Sequence, residues 1–275
     1  MYAVRLVCRL LQQVVARPSL FSVQELRVGL FDFSTTQWII AILGATMIGF
    51  SKTGVPGSGI IIAPLMASAI AAKASTGFTL PMLAMADVLA ILYWRRHVNW
   101  GHLGRLLPWT FAGVIVGYFL MDHISDKQLK VIMGVLILFF LGMSWLREKN
   151  IEDNRIPNHW FFAALMGMMA GSTSMMANAA GPVMVIYLMA MRLPKNEFIG
   201  TRAWFFWILN LSKMPFSSKL GFITQTSLLT NVALIPCILM GGFLGIALVN
   251  RIPQKAFTSV VKGLTVIAAI YLCVS

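Results

Sequence analysis

The sequence predicts an all-α integral membrane protein of two inverted repeats, each a short broken-helix hairpin plus three transmembrane helices. Three observations lead there. Of the 275 residues, 58% are hydrophobic and 11% charged, whereas a soluble domain carries about 25% charged residues. Too little polar surface remains to coat a globule, and a bilayer core takes about 20 apolar residues per helix. The chain also repeats itself. Pro108, Gly113 and Gly117 recur 128 positions later as Pro236, Gly241 and Gly245, and Ile124 and Lys127 as Ile252 and Lys255. Leu65-Met66-Ala67 and Gly77 recur at an offset of 123 as Leu188-Met189-Ala190 and Gly200, and Asp87 falls on Asn210. One longer loop around Lys219 to Gln225 accounts for the change of offset. Finally, the first two apolar segments of each repeat are short, which suits a hairpin or a broken helix. Each repeat then crosses an odd number of times, so the second must be inverted.

The elements follow in order. Residues 1–35 form a basic extension, with Arg5, Arg9 and Arg17 and no acidic residue from Met1 to Gln24. Apolar positions at Val4, Val7, Leu11, Val14 and Val15 fit an amphipathic helix. An interfacial helix, a transit-like extension and an upstream start codon all suit this stretch. A secretory signal is not expected, because no uninterrupted apolar run precedes a small-residue cleavage site. The first repeat, 36–146, has apolar segments at 37–50, 57–71, 77–94, 103–121 and 128–146. A polar linker, 147–159, carries Glu148, Glu152, Asp153 and Pro157. The second repeat, 160–275, has segments at 160–173, 181–192, 198–216, 226–249 and 256–274.

The formal charge is +13, from 22 Lys and Arg against 9 Asp and Glu. In a soluble chain this would suggest nucleic acid. Here the basic residues sit mostly in short loops and at helix ends, where topology and anionic lipid explain them better. Their excess on the linker side places the linker in the cytoplasm and both termini outside. The expected partners are the lipid bilayer and a small anionic substrate, with a second copy of the chain as a further candidate and no nucleic acid. The expected location is the bacterial inner membrane, crossed several times. Cys8, Cys237 and Cys273 form no C-x-x-C pair, and His97, His102, His123 and His159 show no ligand spacing on one helix. No metal site or cofactor is expected.

Two helix breaks are the candidate binding elements. The first runs from Gly49 to Gly59 and offers Ser51, Lys52, Thr53, Gly54, Gly57 and Ser58. Its glycines and Pro56 cannot continue a helix comfortably, and non-helical backbone at membrane depth needs protein or a wet cavity around it. The helix that follows the break presents free N–H groups to an anion. A plain surface turn with Lys52 in water is the alternative. The G-x-x-x-x-G-K-[ST] spacing is absent, which excludes a Walker motif. The corresponding break in the second repeat, Gly171 to Pro182, offers Ser172, Thr173, Ser174, Asn178 and Gly181. Paired breaks in corresponding positions are a pointer to a transporter's substrate site.

Asp87 is the one acidic residue inside an apolar segment. It reads as a coupling site for a proton or cation, with Asn210 as its repeat mate, or as a structural bond between helices, including a pairing with Lys213. Lys213 either contacts the anion or snorkels toward the interface. Arg202 lies near the same segment. The run Trp204 to Trp207 reads as lipid-facing or packing. Met166, Met168, Met169, Met175 and Met176 read as packing rather than soft-metal ligands.

Gly49-Phe50-Ser51-Lys52-Thr53-Gly54-Val55-Pro56-Gly57, Leu80-Pro81 ahead of Ala86-Asp87, and Tyr93-Trp94-Arg95-Arg96-His97-Val98 resemble the first half of the TauE/SafE sulfite-exporter family. Asn178-Ala179-Ala180-Gly181-Pro182, Leu193-Pro194-Lys195, Gly200-Thr201 and Trp204-Phe205-Phe206 ahead of Asn210 resemble its second half. The resemblance covers roughly 37–275. It implies a permease of two inverted repeats that exports or takes up sulfite, organosulfonates or related small anions. It does not fix the ligand. No nucleotide-binding signature is present, so a primary pump acting alone is not expected. The other class to weigh is a non-transporting intramembrane enzyme or assembly factor. An enzyme would want clustered His, Asp, Glu or Cys within the segments, and Asp87 stands alone there among the acids.

Overall fold

The computed structural model describes residues 33–54, 58–129, 131–132, 134–135, 138–139, 160–191 and 193–248. Among them there are helices and turns and no strand. Helix α1 (Thr35–Thr53) opens on a capping box, in which Gln37 N–H bonds Ser34 Oγ and Ser34 N–H bonds Gln37 Oε1. Two donors that a helix start leaves orphaned are thereby satisfied. After Gly54, a 3₁₀ turn (Ser58–Ile61) leads into α2 (Ile62–Ala69). α1 and α2 form an antiparallel hairpin. Gln37 Nε2 donates to Ala69 O at 2.9 Å at the open end, Gly44 lies against Met66 Sδ midway, and Ser51 Oγ lies against Gly59 at the tip.

α3 (Ala72–Trp94) and α4 (Trp100–His123) follow, then helical residues from Asp126. Lys73 N–H, at the start of α3, bonds Asp126 Oδ1 at 2.7 Å, so the chain after α4 returns to the level where α3 begins. The second half contains α5 (Trp160–Ala177), α6 (Gly181–Ala190), α7 (Lys195–Lys219), α8 (Gln225–Ala233) and α9 (Ile235–Leu248). Among the described residues, three helices are long and apolar enough to cross a membrane: α3, α4 over Trp100–Met121, and α5. The bent pair α8 and α9 makes a fourth if it counts as one span. Phe111, Ile115, Phe119, Trp160, Phe161 and Phe243 are exposed, as side chains facing acyl chains should be.

Three expectations shift. α1 continues through Ser51 to Thr53, and α5 through Ser172 to Ala177, past the segment ends read at 50 and 173. The hydroxyls there do not break the helix because they bond back to its own carbonyls: Thr53 to Gly49 O, Ser172 to Met168 O, Thr173 to Met169 O. The segment read as 226–249 is two helices meeting at 49°. Pro236 lacks an N–H and its ring crowds the carbonyl four residues back, so the chain turns there. Pro108, its mate, sits inside an unbroken α4. The segment at 256–274, residues 1–32 of the extension, the linker and most of the segment at 128–146 lie outside the described residues.

Packing is reciprocal between the halves. A Cβ on Gly49 would run into Ile238 O, and one on Gly241 into Thr46 O, so α1 and α9 touch backbone to backbone. A Cβ on Gly171 would run into Thr110 O, and one on Gly113 into Met168 O, so α5 and α4 do the same. Both pairs run parallel, since Gly245 reaches Thr53 and Gly54 further along α1, and Gly117 reaches Ser172 and Met175 further along α5. The apolar cores follow this rule. One joins α1, α2 and α3 to Leu234 and Ile238; the other joins α5, α6 and α7 to Leu103, Leu106 and Val114 of α4. Between them, α3 and α7 lie antiparallel: Gly77 abuts Phe222, Gly200 abuts His97, and Asp87 meets Asn210 midway.

Candidate functional site

The site is built where the hairpin tips meet α3 and α7. Lys52, in the last turn of α1, reaches Asp87 of α3, with Nζ 2.7 Å from Oδ1. The ammonium also stands 4.1 Å from the centroid of the Phe206 ring on α7, where the ring's quadrupole attracts a cation. The other carboxylate oxygen of Asp87 accepts from Asn210 Nδ2 at 2.6 Å. Asp87 is fully buried, whereas the Lys52 side chain keeps 10% of its surface open.

Two further buried cations come from α7. Arg202 Nη2 donates to Ser51 O at 2.8 Å and leans on Lys52 O at 3.4 Å. Lys213 Nζ donates to Ser174 O at 2.9 Å, Ser174 Oγ at 2.8 Å and Asn178 Oδ1 at 2.7 Å. Each thus sits at the C-terminal end of a hairpin's first arm, where the helix dipole is negative. The two cations are eleven residues apart on one helix, about three turns and ~16 Å, and so share a face. One helix therefore pins both tips.

Asn178 closes α5 in a left-handed conformation, with φ 51°, which Asn tolerates at a helix end. Its Nδ2 donates to Thr76 O of α3 at 3.0 Å. That bond ties the second tip to the first repeat, and α6 packs against the turn Ser58–Ile61. Gly54 ends α1 with its N–H on Phe50 O, and Gly181 begins α6. Gly57 and the Ser58 side chain lie outside the described residues.

Hydrogen-bond accounting separates the candidates. The hydroxyls of Thr53, Ser172 and Thr173 donate to main-chain carbonyls, Thr53 also approaching Gly242 O at 2.8 Å. An ammonium has three donors, and Lys213 spends all three. Lys213 does not snorkel: it is 1% exposed and faces inward. Nor does it pair with Asp87, whose cation is Lys52, because α1 brings Lys52 across to α3 while Lys213 is taken by the other tip. The aromatic run is packing, with Phe205 and Phe206 buried, and Phe206 also carries Lys52. Sequence reasoning left Arg202, Phe206 and Thr76 outside the candidate set. A buried arginine in an apolar segment was the available signal for the first; nothing local marks the others.

The buried set now holds three cations and one carboxylate, an arrangement that invites a negative charge. A family model described as sulfite exporter TauE/SafE matches residues 40–272. The chain belongs to the sulfite exporter TauE/SafE family. A 49-residue stretch is 37% identical to "Probable membrane transporter protein MamO" of Magnetospirillum gryphiswaldense, covering 18% of this chain and 8% of that protein. A 45-residue stretch is 38% identical to the protein of the same name in Paramagnetospirillum magneticum, covering 16% of this chain and 7% of that protein. These stretches are a small part of both relatives. No solved structure matches. In this TauE/SafE chain the family match spans both hairpin tips, both pinning cations and the Asp87–Asn210 bond.

Proposed function

We propose that this TauE/SafE transporter is a secondary permease for small anions, with sulfite, organosulfonates and related sulfur compounds as its substrate class, working by alternating access in a bacterial inner membrane. The observation that carries the reading is the unbalanced charge at the hairpin tips: among the described residues, Lys52, Arg202 and Lys213 face a single carboxylate, Asp87. Buried charge left without compensation is costly in a bilayer, and such a site draws an anion to it. The candidate contacts are Ser51, Lys52, Thr53, Gly54, Gly57 and Ser58 from the first tip, and Ser172, Thr173, Ser174, Asn178 and Gly181 from the second. Asp87 and Asn210 form the coupling position.

Alternating access asks for halves of opposite orientation. The antiparallel contact of α3 with α7, equivalent helices at the 123-residue offset, supports that relation. So does the chain of directions from α1 through α3 and α4 to α5. The test is counterflow in proteoliposomes with labelled sulfite and a panel of sulfonates. Saturable exchange that an anion inside the vesicle accelerates is expected. Absence of exchange for every anion of the panel overturns the reading.

A further inference from the structure

Of the three cations at the tips, Lys52 has the fewest oxygen acceptors among the described residues. Lys213 spends its three donors on Ser174 and Asn178, and Arg202 lies on the carbonyls of Ser51 and Lys52. Lys52 has one carboxylate oxygen and the face of Phe206. It also lies at the tip and is part open, while Asp87 lies wholly buried behind it. An anion arriving at the tip therefore meets an ammonium that already holds a resident anion. Both cannot occupy it as charges, because like charges side by side in a desolvated site repel strongly.

We infer that the transported anion takes the place of Asp87 at Lys52, and that the Asp87 carboxylate is then neutralised by a proton, one proton travelling with each anion. Asn210 suits both states of its partner. Its Nδ2 now donates to the carboxylate, and a flipped amide presents Oδ1 to accept the acid's O–H, since an amide carries donors and acceptors alike. A lysine or arginine there would serve the charged form alone. The proton comes from water on the side where the anion binds and leaves to water on the other, and no other bond changes. The elements packed on α3 are α1, α2, α5, α7, α8 and α9. The charged groups they bring to Asp87 are Lys52 from α1, and Arg202 and Lys213 from α7. α2, α5 and α8 have no titratable residue, and α9 has Cys237.

This inference rests on the permease reading, and the experiment separates the two. Net uptake into vesicles that hold no anion is followed together with internal pH, using methanesulfonate, which carries no proton of its own, and sulfite in alkaline buffer, where it carries none. Movement of either anion with about one proton per anion supports the exchange. Movement of either without protons overturns it and leaves the permease standing; movement of neither overturns both. In Asp87→Asn the competing charge is gone, so KM for the transported anion should fall about tenfold and proton movement should vanish. An unchanged proton ratio in that variant overturns the inference. If the variant does not fold, the wild-type ratio decides alone.

Discussion

Asn210 donates to Asp87 across 2.6 Å, and the two residues hold the same position in the two repeats. A residue touches its own repeat mate only near an axis that relates the halves. On the inverted-repeat reading, the bond lies near that axis, with one copy of the position carrying a charge and the other the amide that serves it.

Replacing Asn210 by Leu leaves Asp87 Oδ2 without its donor inside the bundle. The expected loss of stability is about 1–3 kcal/mol, read as a lower thermal midpoint in detergent. A midpoint equal to wild type would show that the bond contributes nothing.

Lys52→Gln leaves a buried carboxylate without its cation, and about 3–5 kcal/mol of destabilisation is expected. Adding Asp87→Asn removes the orphaned charge. The double variant should therefore be more stable than Lys52→Gln alone, a coupling that a double-mutant cycle measures directly. Additive losses would mean that the pair is not energetically linked. Neither variant should bind the anion, because the cation that receives it is absent from both.

Lys213→Met should behave differently. It removes three hydrogen bonds from the second hairpin tip, at a cost of about 1–3 kcal/mol for the acceptors left unsatisfied. Counterflow should fall through kcat rather than KM, since Lys213 holds the tip and has no donor left for substrate. A rise in KM with kcat intact would make it an anion contact after all.

The glycine seams should respond as mates. Gly241→Ala and Gly113→Ala each push a methyl into a facing carbonyl, of Thr46 and of Met168, and backbone cannot yield as a flexible side chain can. Both should lower the thermal midpoint by similar amounts. A methyl on Gly104 would meet nothing within 4 Å, so Gly104→Ala should be neutral or stabilising by up to about 1 kcal/mol.

Much of the helix layout was legible because apolar segments and their Gly and Pro punctuation are local signals. Asp87 and Asn210 stood out together through the repeat offset. The partner of Asp87 was not legible: whether Lys52 or Lys213 reaches it depends on which arm α3 packs against, a relation between distant segments. The roles of the hydroxyls also escaped. Serine and threonine near a helix break read as polar lining, yet Thr53, Ser172 and Thr173 turn back onto their own helices. Phe206 looked like its neighbours in an aromatic run until α1 set an ammonium against its face.

Each half of this chain is built around a gap that it cannot fill itself. The hairpin of the first half is grasped by α9, and that of the second by α4. Either half made alone would leave a glycine-lined backbone strip facing lipid and a core short of one helix. Two fragments divided within 147–159 and made together should instead find one another and restore counterflow. Interlocking of this kind ties the fates of the two halves: neither can be lost, or exchanged for a foreign copy, without stranding the other.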